Sequence, residues 1–264
     1  MAFTTPADPF VSVVIPVKDD GVALRRCLDA LARQSRPPDE IVVVDNGSVD
    51  DSAQVARDSG AVVVRCDRPG IPAAGARGYD CATGDLILRL DADCVPADTW
   101  VEAMAAGFAA HPGTHVLTGG AQFIDGPRVL RRPLAAAYLA SYGIVAGAAL
   151  GHLPLFGSNV AFRSSAWRAV RDSSHRQDAT VHDDLDLAYH FGERHRIRLL
   201  PGDHMGISMR PFTSARSFVR RIGGGFRTVL VHWPQDFPPV RWTRLLLRRA
   251  LALSGVPKPR MDVG

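Results

Sequence analysis

The sequence predicts an α/β fold with a mostly parallel central sheet flanked by helices. Short runs rich in Val, Ile and Leu alternate with segments whose apolar residues recur at helical spacing, and turn-forming residues separate them. Such alternation is typical of parallel strands joined by right-handed helical crossovers. The composition agrees, because 46% hydrophobic and 22% charged residues in 264 argue against a disordered or fibrous chain.

The elements of the first 90 residues follow in order. The β-branched run VSVVIPV at 11–17 predicts a buried strand that the turn-like sequence KDDG ends. Residues 22–33 predict a helix, which RPPDE breaks before a second strand, IVVVD, at 41–45. The pattern then repeats, with a helix at about 50–59, a strand at 61–65, a helix near 72–83 and the strand LILRL at 86–90.

Polar or acidic residues follow three of these strands, after Val17, Val44 and Leu90. In open parallel sheets, ligands bind beyond the carboxyl ends of the strands. We therefore expect the functional site at this edge of the sheet.

Charge is unevenly distributed along the chain. The formal net charge is +4, yet the segment from Arg210 to the end holds 11 Arg or Lys residues against Asp236 and Asp262. A basic tail on an acidic body suggests an anionic partner, such as a lipid headgroup or a diphosphate, and a solvated surface is the alternative. A nucleic-acid partner is not expected, because the tail has few aromatic residues and no known recognition module.

The four cysteines, Cys27, Cys66, Cys81 and Cys94, are far apart and form no CxxC pair. They suggest neither a zinc site nor a disulfide scaffold, and reduced thiols fit a cytoplasmic location. The sequence MAFTTPADPF at the start lacks the features of a secretory signal. We expect a cytoplasmic protein, with peripheral contact at the inner face of the membrane as an addition that the basic C-terminal region suggests.

Two segments leave alternatives open. Residues 133–162 contain no Asp, Glu, Lys or Arg, so they could span a membrane, form a core helix and loop, or line an acceptor site. The glycines and proline within the run favour the core helix over the span. Residues 241–253 combine Arg with Leu, which suits either a helix on an anionic membrane surface or a helix packed on the domain.

The strongest local motif is Asp91-Ala92-Asp93, directly after an apolar strand. Two carboxylates at this spacing can hold a hard divalent ion that also binds a diphosphate, although a polar turn is the plain alternative. Asp45 ends the second strand and opens the turn Asn46-Gly47-Ser48, which turn chemistry alone could explain.

A second acidic motif is His182-Asp183-Asp184-Leu185-Asp186, followed by an apolar stripe. The helix dipole favours acids in a first helical turn, so these residues could simply start a helix. The functional interpretation is a general base that takes the proton of an attacking hydroxyl.

Together, SVVIPVKDD, IVVVDNGSVDDS, GDLILRLDADC and HDDLDLAYHF resemble the successive motifs of family 2 glycosyltransferases with the GT-A fold, over about residues 10–200. The resemblance implies a GT-A type nucleotide-diphospho-sugar transferase fold with a helical C-terminal appendage. It also implies an inverting enzyme that moves a sugar from a nucleotide-diphosphate donor to an acceptor hydroxyl by metal-assisted single displacement.

The resemblance assigns roles to particular residues. In the catalytic pair, Asp184 is the base and Asp183 replaces a Glu of the family. The ion, Mn²⁺ or Mg²⁺, would be held by Asp93 and Asp91, with His204 as a further candidate. The donor nucleotide would be bound by Pro16, Val17, Asp45, Gly47, Arg77 and Asp91. The acceptor or donor sugar would face Gly157, Ser158 and Asn159.

The chain also departs from the family pattern. Gly75 and Ala76 stand where many members have Arg and Asn, so Arg77 is the candidate to replace the missing contact to the base. The tail SARSFVRRIGGGFR resembles an arginine-rich region that closes over the donor diphosphate. No processive QxxRW signature is present, which favours a single sugar transfer over repeated extension.

We expect a catalytic domain at 1–210, with its nucleotide-binding half at about 10–95 and its acceptor half at about 96–210, and a basic, mainly helical extension at 211–264. The donor would be a UDP-, GDP- or dTDP-sugar, and the acceptor a glycan, a lipid or a small molecule. The alternatives are an inactive GT-A-like protein that binds nucleotide or membrane, and a sugar-nucleotide nucleotidyltransferase. A Rossmann dehydrogenase and a P-loop enzyme are disfavoured, because GxGxxG after a strand and GK[ST] are missing.

Overall fold

A computed structural model of the chain describes residues 8–202, 204–210 and 215–253. The strands in this part of the chain are β1 (Val11–Val17), β2 (Glu40–Asp45), β3 (Val62–Arg65), β4 (Leu86–Arg89), β5 (Val95–Pro96), β6 (Val116–Gly119), β7 (Gln122–Phe123), β8 (Val160–Arg163), β9 (Ile197–Leu200) and β10 (Met205–Ile207). The α-helices are α1 (Gly21–Ala32), α2 (Ser52–Asp58), α3 (Ile71–Cys81), α4 (Trp100–Ala110), α5 (Arg128–Leu150), α6 (Ser164–Val170), α7 (Asp183–Arg194), α8 (Ala215–Val231) and α9 (Pro238–Leu253).

Seven strands form the central sheet in the order β3-β2-β1-β4-β8-β6-β9. The pairs β3·β2, β2·β1, β1·β4 and β6·β9 are parallel, while β8 runs antiparallel to both of its neighbours. Strands β5, β10 and β7 form a small second sheet. The prediction of a mostly parallel sheet flanked by helices is confirmed, and the four predicted strands match β1 to β4 to within one residue at each end.

Strand β1 shows why the core has two faces. Val11, Val13 and Ile15 belong to one apolar cluster, whereas Val14 belongs to the other, as the two-residue repeat of a strand requires. Helices α1 and α4 cover the first face, and α3, α6 and α7 supply apolar side chains to the second. Because both faces of the sheet are covered, its central strands consist of almost continuous apolar residues.

The topology brings separate parts of the chain to one edge of the sheet. Parallel pairing places Val17 beside Asp45, and β4 ends next to them at Arg89. The antiparallel partner of β4 begins at this same edge, because Arg89 lies opposite Val160. A 3₁₀ turn at Gly157–Asn159 leads into β8. The ends of β1, β2 and β4 and the beginning of β8 therefore meet where the sequence predicts the site.

Helix α5 contains most of the uncharged run at 133–162, and it is not the core helix that we expected. Among its residues only Ala135, Ala146 and Leu150 are buried. By length and composition, it is the one helix among the described residues that could cross a membrane. Its tyrosines, described below, instead place part of the run beside the cleft.

Helix α9 packs on the rest of the fold along one side. Arg241 is fully buried, and it donates hydrogen bonds to the carbonyl oxygens of Leu150 and Tyr189, each at 2.8 Å. Leu246 and Leu247 on the same helix are exposed. The packed-helix interpretation of 241–253 therefore holds for one side of α9, while the other side retains exposed leucines.

Candidate functional site

An open cleft of about 980 Å³ lies at the carboxyl edge of the central sheet. Its walls come from the end of β1 and the turn after it, the turn after β4, the start of α7, and side chains of α5 and α8. The charged residues that line it are Lys18, Asp19, Asp20, Arg89, Asp91, Asp93, Asp183, Asp184, Arg210, Arg221 and Arg227. Both cations and carboxylates therefore line a space large enough for a substrate.

Asp91 and Asp93 both line the cleft, as the sequence predicts. Oδ1 of Asp91 lies 2.8 Å from Nη2 of Arg89, and its Oδ2 accepts a hydrogen bond of 2.6 Å from the Ser158 hydroxyl. Oδ2 of Asp93 lies 3.0 Å from Nη2 of Arg210. Burial and the neighbouring charge of Asp91 raise the pKa of Asp93, although Arg210 opposes the shift. The pair therefore holds negative charge that a bound cation would stabilise.

These residues fit a hard divalent ion. Ligand atoms of Asp91, Asp93 and Cys94 lie within 4.8 Å of one another. Carboxylate oxygen is the donor that Mg²⁺ and Mn²⁺ prefer. The Cys94 thiol is buried, burial raises its pKa well above the usual value, and soft sulfur is not a donor that these hard ions favour. The fit thus depends on the two carboxylates.

Arg89 is a site residue that the sequence analysis missed. It projects from the end of β4, its side chain is 4% exposed, and Nη2 also lies 3.0 Å from Oδ2 of Asp183. Burial opposes its charge, but the carboxylates of Asp183 and Asp91 outweigh burial and raise the pKa of the guanidinium. The available signal was an Arg inside an otherwise apolar strand, since a buried charge requires a partner.

Asp183 and Asp184 start α7 at the cleft wall, and His182 is the residue just before the helix. Oδ2 of Asp184 accepts a hydrogen bond of 3.0 Å from the Gly157 amide, and its Oδ1 forms a close ion pair with Nδ1 of His182. Burial favours the neutral acid, but the charge and hydrogen bond of His182 lower the pKa of Asp184 to about 2. Burial raises the pKa of Asp183, against the opposing charge of Arg89.

The three residues of the predicted turn Gly157-Ser158-Asn159 lie in two different environments. Gly157 and Ser158 contact Asp184 and Asp91, and a Cβ at Gly157 would collide with the Arg89 guanidinium. Asn159, predicted to face the acceptor or donor sugar, is placed by the structure inside the core, where it is fully buried and both ends of its amide are hydrogen-bonded. Its Oδ1 accepts from Trp100 Nε1 and its Nδ2 donates to the Gly120 carbonyl, each at 2.8 Å.

Of the residues predicted to bind the nucleotide, some line the cleft and others do not. Pro16 and Val17 line the cleft, as does Asn46, to which the sequence analysis assigned no binding role. Asp45, the last residue of β2, and Gly47, in the turn after it, do not line the cleft themselves. Asp45 pairs with Val17 and accepts a hydrogen bond from the Ser48 amide, and Gly47 has a φ of 76°. Arg77 is exposed on α3 and does not line the cleft. Its position therefore does not agree with the predicted contact to the nucleotide base.

His204 is likewise not placed beside the carboxylates. It precedes β10, and its Nε2 lies 3.1 Å from the Pro201 carbonyl. Among the described residues, the group of potential ligand atoms that contains Asp91 and Asp93 does not include His204. The geometry therefore does not support His204 as the third ligand.

Three arginines from the C-terminal part of the chain reach the cleft. Arg210 contacts both Asp20 and Asp93, and the loop that carries it is held by Asp125, which accepts hydrogen bonds from Ser208 and from the Met209 amide. Arg221 and Arg227 project from α8. Arg216 and Arg220, also predicted for this region, have side chains outside the described part of the structure.

An aromatic wall completes the cleft. Tyr138 and Tyr142 of α5 and Phe156 of the following loop line it, and all three lie in the uncharged run. Arg221 Nη1 lies 3.4 Å from the Tyr138 hydroxyl, while the Tyr142 hydroxyl donates to the Leu155 carbonyl at 2.9 Å. The third alternative for this run, a wall beside the site, matches the position of these residues.

The fold and the residues that line the cleft agree with the nucleotide-diphospho-sugar transferase class. Residues 12–177 match the profile described as Glycosyl transferase family 2, which is more than half of the chain. The chain belongs to this family.

Sequence relatives agree with this assignment. The chain is 36% identical over 121 residues to the glycosyltransferase AglE of Haloferax volcanii, covering 42% of this chain and 39% of that protein. It is 35% identical over 116 residues to a PGL/p-HBAD biosynthesis glycosyltransferase of Mycobacterium tuberculosis, covering 41% of this chain and 44% of that protein. The chain thus covers less than half the length of these relatives.

A solved structure shows the same fold. Glucosyl-3-phosphoglycerate synthase from Mycobacterium tuberculosis, in complex with Mn²⁺, UDP and glucosyl-3-phosphoglycerate, superposes with a TM-score of 0.57 at 22% identity. The match covers 85% of this chain and 80% of the synthase. At this identity the likeness supports the GT-A fold and not a shared substrate.

Proposed function

We propose that this protein is an inverting glycosyltransferase that transfers a sugar from a nucleoside-diphosphate donor to an acceptor hydroxyl in a single displacement. The observation that carries the proposal is the arrangement across one cleft: Asp91 and Asp93 face Asp183 and Asp184, and Arg89 lies between the two pairs. Donor and acceptor machinery would thus be held by a common buried cation.

On the donor side, Asp93 and Asp91 would hold a Mn²⁺ or Mg²⁺ ion through carboxylate oxygens. When bound, such an ion offsets the charge that builds on the leaving diphosphate. Arg210, Arg221 and Arg227 line the same cleft, and guanidinium groups suit phosphate oxygens because they donate two hydrogen bonds in a fixed fork. Pro16, Val17 and Asn46 would border the nucleoside, beside Asp45 at the end of β2 and Gly47 in the turn after it.

On the acceptor side, Asp184 would act as the general base. The acceptor oxygen forms a bond to the anomeric carbon, the bond to the diphosphate breaks, and the leaving group takes the electron pair. The proton of the acceptor hydroxyl passes to Asp184. A carboxylate with a pKa of about 2 is ionised at neutral pH and can accept this proton, because the hydroxyl becomes strongly acidic as its oxygen bonds to carbon.

Asp183 would have a positioning role. Its ion pair with Arg89 ties the start of α7 to the end of β4, next to Asp91. Gly157 and Ser158 add a second connection, since the Gly157 amide binds Asp184 and the Ser158 hydroxyl binds Asp91. The two carboxylate pairs are thereby fixed relative to each other, as a displacement requires.

UDP-sugars are the first donors to test, because the solved relative was crystallised with UDP. For the acceptor, the wall of Tyr138, Tyr142 and Phe156 offers ring faces, which pack well against apolar or ring-shaped acceptors. Peripheral membrane contact through the basic C-terminal region remains part of the proposal, supported by the exposed Leu246 and Leu247 of α9. Co-sedimentation with anionic vesicles tests it, and protein that stays in the supernatant would exclude it.

The proposed reaction can be tested through its products. Purified protein would be incubated with UDP-, GDP- and dTDP-sugars, Mn²⁺ and a panel of glycan, lipid and small hydroxyl acceptors, and release of nucleoside diphosphate would be measured. We expect release with one nucleotide class and its loss in Asp184→Asn. Pyrophosphate release from a nucleoside triphosphate and a sugar 1-phosphate would indicate the nucleotidyltransferase instead. Nucleotide binding without any turnover would indicate an inactive GT-A-like protein.

A further inference from the structure

A second cluster of polar side chains lies outside the cleft. It consists of His175, in the segment between α6 and α7, Asp186 and His190 of α7, and His232, which directly follows α8. Asp186 comes two residues after Asp184, so the helical repeat of about 100° per residue directs the two carboxylates to opposite sides of α7. His190 lies one turn further along and shares the side of Asp186.

Three imidazole nitrogens converge on one carboxylate oxygen. Oδ1 of Asp186 lies 2.7 Å from Nδ1 of His175, 3.0 Å from Nε2 of His232 and 3.5 Å from Nε2 of His190. One potential ligand atom of each residue lies within 4.8 Å of all the others. Asp186 and His232 are 3% and 5% exposed, so most of the cluster is enclosed by protein.

The hydrogen bonds around the cluster satisfy Oδ1 of Asp186, which pairs with Nδ1 of His175 and Nε2 of His232, but they leave out Nε2 of His190. Oδ2 of Asp186 accepts the backbone amide of His175 at 3.0 Å, which leaves Oδ1 facing the three rings. Nδ1 of His190 lies 3.3 Å from the Ser173 hydroxyl, so its Nε2 is directed inward. That Nε2 is buried and finds no hydrogen-bond partner within the described part of the chain. A buried polar atom without a partner requires an explanation, and a bound ion is one that fits a nitrogen directed at a carboxylate and two further imidazoles.

The outer contacts resemble those that support metal ligands. Nδ1 of His232 lies 3.6 Å from Oδ2 of Asp236, which places a carboxylate behind the ring whose Nε2 faces the cluster. Metal-binding histidines commonly have such an outer carboxylate or hydroxyl on the second nitrogen. The ring of Tyr189 stacks on His232 with centroids 4.0 Å apart, which fixes its orientation.

We propose that His175, Asp186, His190 and His232 form a binding site for a divalent transition-metal ion of the zinc class. Three imidazoles and one carboxylate supply four donors, the number that zinc takes in closed sites, and imidazole selects such ions over Mg²⁺. This site is separate from the proposed donor site at Asp91 and Asp93, where the ligand atoms would be carboxylate oxygens, and it does not depend on the proposed reaction.

The site would have a structural effect on the cleft. It connects α7, which begins with Asp183 and Asp184, to the segment with His175 and to the end of α8. Arg221 and Arg227 of α8 line the cleft. A bound ion would therefore fix α8 against α7 and hold these arginines at the cleft wall.

The test uses the full chain without a histidine tag, stripped of metal with a chelator, in the Asp93→Asn background so that the cleft carboxylates contribute little. Co²⁺ would be added and its visible absorption followed, because four-coordinate cobalt absorbs far more strongly than six-coordinate cobalt. We expect one equivalent to give the strong absorption, and one equivalent of Zn²⁺ to abolish it. The absorption should be lost in His190→Gln and His232→Gln and unchanged in His111→Gln, whose side chain is exposed.

His175→Gln is included as a cluster variant that should still fold, because the His175 side chain is one-third exposed, at 33%. We expect it to keep the circular dichroism of the parent and to weaken Co²⁺ binding by roughly tenfold or more. In the parent, Zn²⁺ should also raise the melting temperature, and His175→Gln should reduce that rise. The proposal is overturned if the parent binds neither Co²⁺ nor Zn²⁺, or if binding is the same in all three cluster variants.

Discussion

Arg89 and Asp183 form a buried ion pair, with Nη2 of the arginine 3.0 Å from Oδ2 of the aspartate. The same nitrogen lies 2.8 Å from Oδ1 of Asp91. One guanidinium therefore connects the acidic motif at the end of β4 with the acidic motif at the start of α7. The proposed donor and acceptor sides of the cleft share this contact.

Arg89→Met should destabilise the fold. It leaves the carboxylates of Asp91 and Asp183 facing each other without the cation, and breaking a buried pair in this way costs about 3–5 kcal/mol. Denaturant unfolding measures the loss. The matched control is Arg163→Met on β8, whose guanidinium binds the backbone carbonyls of Thr114 and Pro112, so its loss should cost only about 1 kcal/mol. Equal losses of unfolding free energy in the two variants would contradict a stabilising role for the charge of Arg89.

Gly157→Ala should distort the site. The added Cβ would collide with the Arg89 guanidinium and lie 3.0 Å from Cβ of Asp184, so crowding should cost about 1–3 kcal/mol and lower activity. Gly143→Ala in α5 is the control, because a Cβ there meets nothing within 4 Å. That change should stabilise the helix by about 0.5–1 kcal/mol. Thermal unfolding of both variants separates crowding from the general effect of replacing glycine.

Asp184→Asn and Asp183→Asn should differ in kinetics. Removal of the base should lower kcat by about 10²–10⁴, the usual contribution of general base catalysis. Asp183→Asn keeps the shape of the side chain and weakens only the ion pair with Arg89, so its kcat should fall less. Steady-state kinetics with the identified donor and acceptor make the comparison. A larger fall in kcat for Asp183→Asn than for Asp184→Asn would indicate that Asp183 is the general base.

His182 should make stability depend on pH. The charge of Asp184 raises the pKa of His182 from 6.5 to about 9, despite burial. Since the folded state binds the proton more tightly, this pair stabilises the fold fully below about pH 6.5, and the effect is lost as pH rises towards 9. Urea unfolding of the parent and of His182→Gln should therefore differ more at pH 6 than at pH 9. A difference that grows with pH would contradict this ion pair.

The sequence was sufficient to predict the first four strands of the central sheet and four carboxylates that line the cleft, but not β6, β8 and β9. Parallel strands place their carboxyl ends at one edge, so Asp91 and Asp93 had to lie near the turn after β1. Arg89 was missed because its strand looks apolar as a whole, and its two partners lie 2 and 94 residues further along the chain.

Other errors have a similar cause. Asn159 was expected at the cleft, but Trp100 offers its indole N–H and Asn159 satisfies it inside the core. Helix α5 was expected to be buried because it is uncharged, yet most of its side chains are not. In the cluster around Asp186, only Asp186 and His190 have a local spacing, at i and i+4 of α7, while His175 and His232 join them only in the folded chain.

The central claim is that Asp91 and Asp93 hold a metal-dependent nucleotide site, and calorimetric titration tests it most directly. UDP, GDP, dTDP and CDP would each be added with and without Mn²⁺ to the parent, to Asp93→Asn and to Asp98→Asn, whose exposed carboxylate lies outside the cleft. We predict that one nucleotide binds only with Mn²⁺, and that Asp93→Asn but not Asp98→Asn abolishes binding. Equal binding by the parent and Asp93→Asn, or binding of no nucleotide, would contradict the claim.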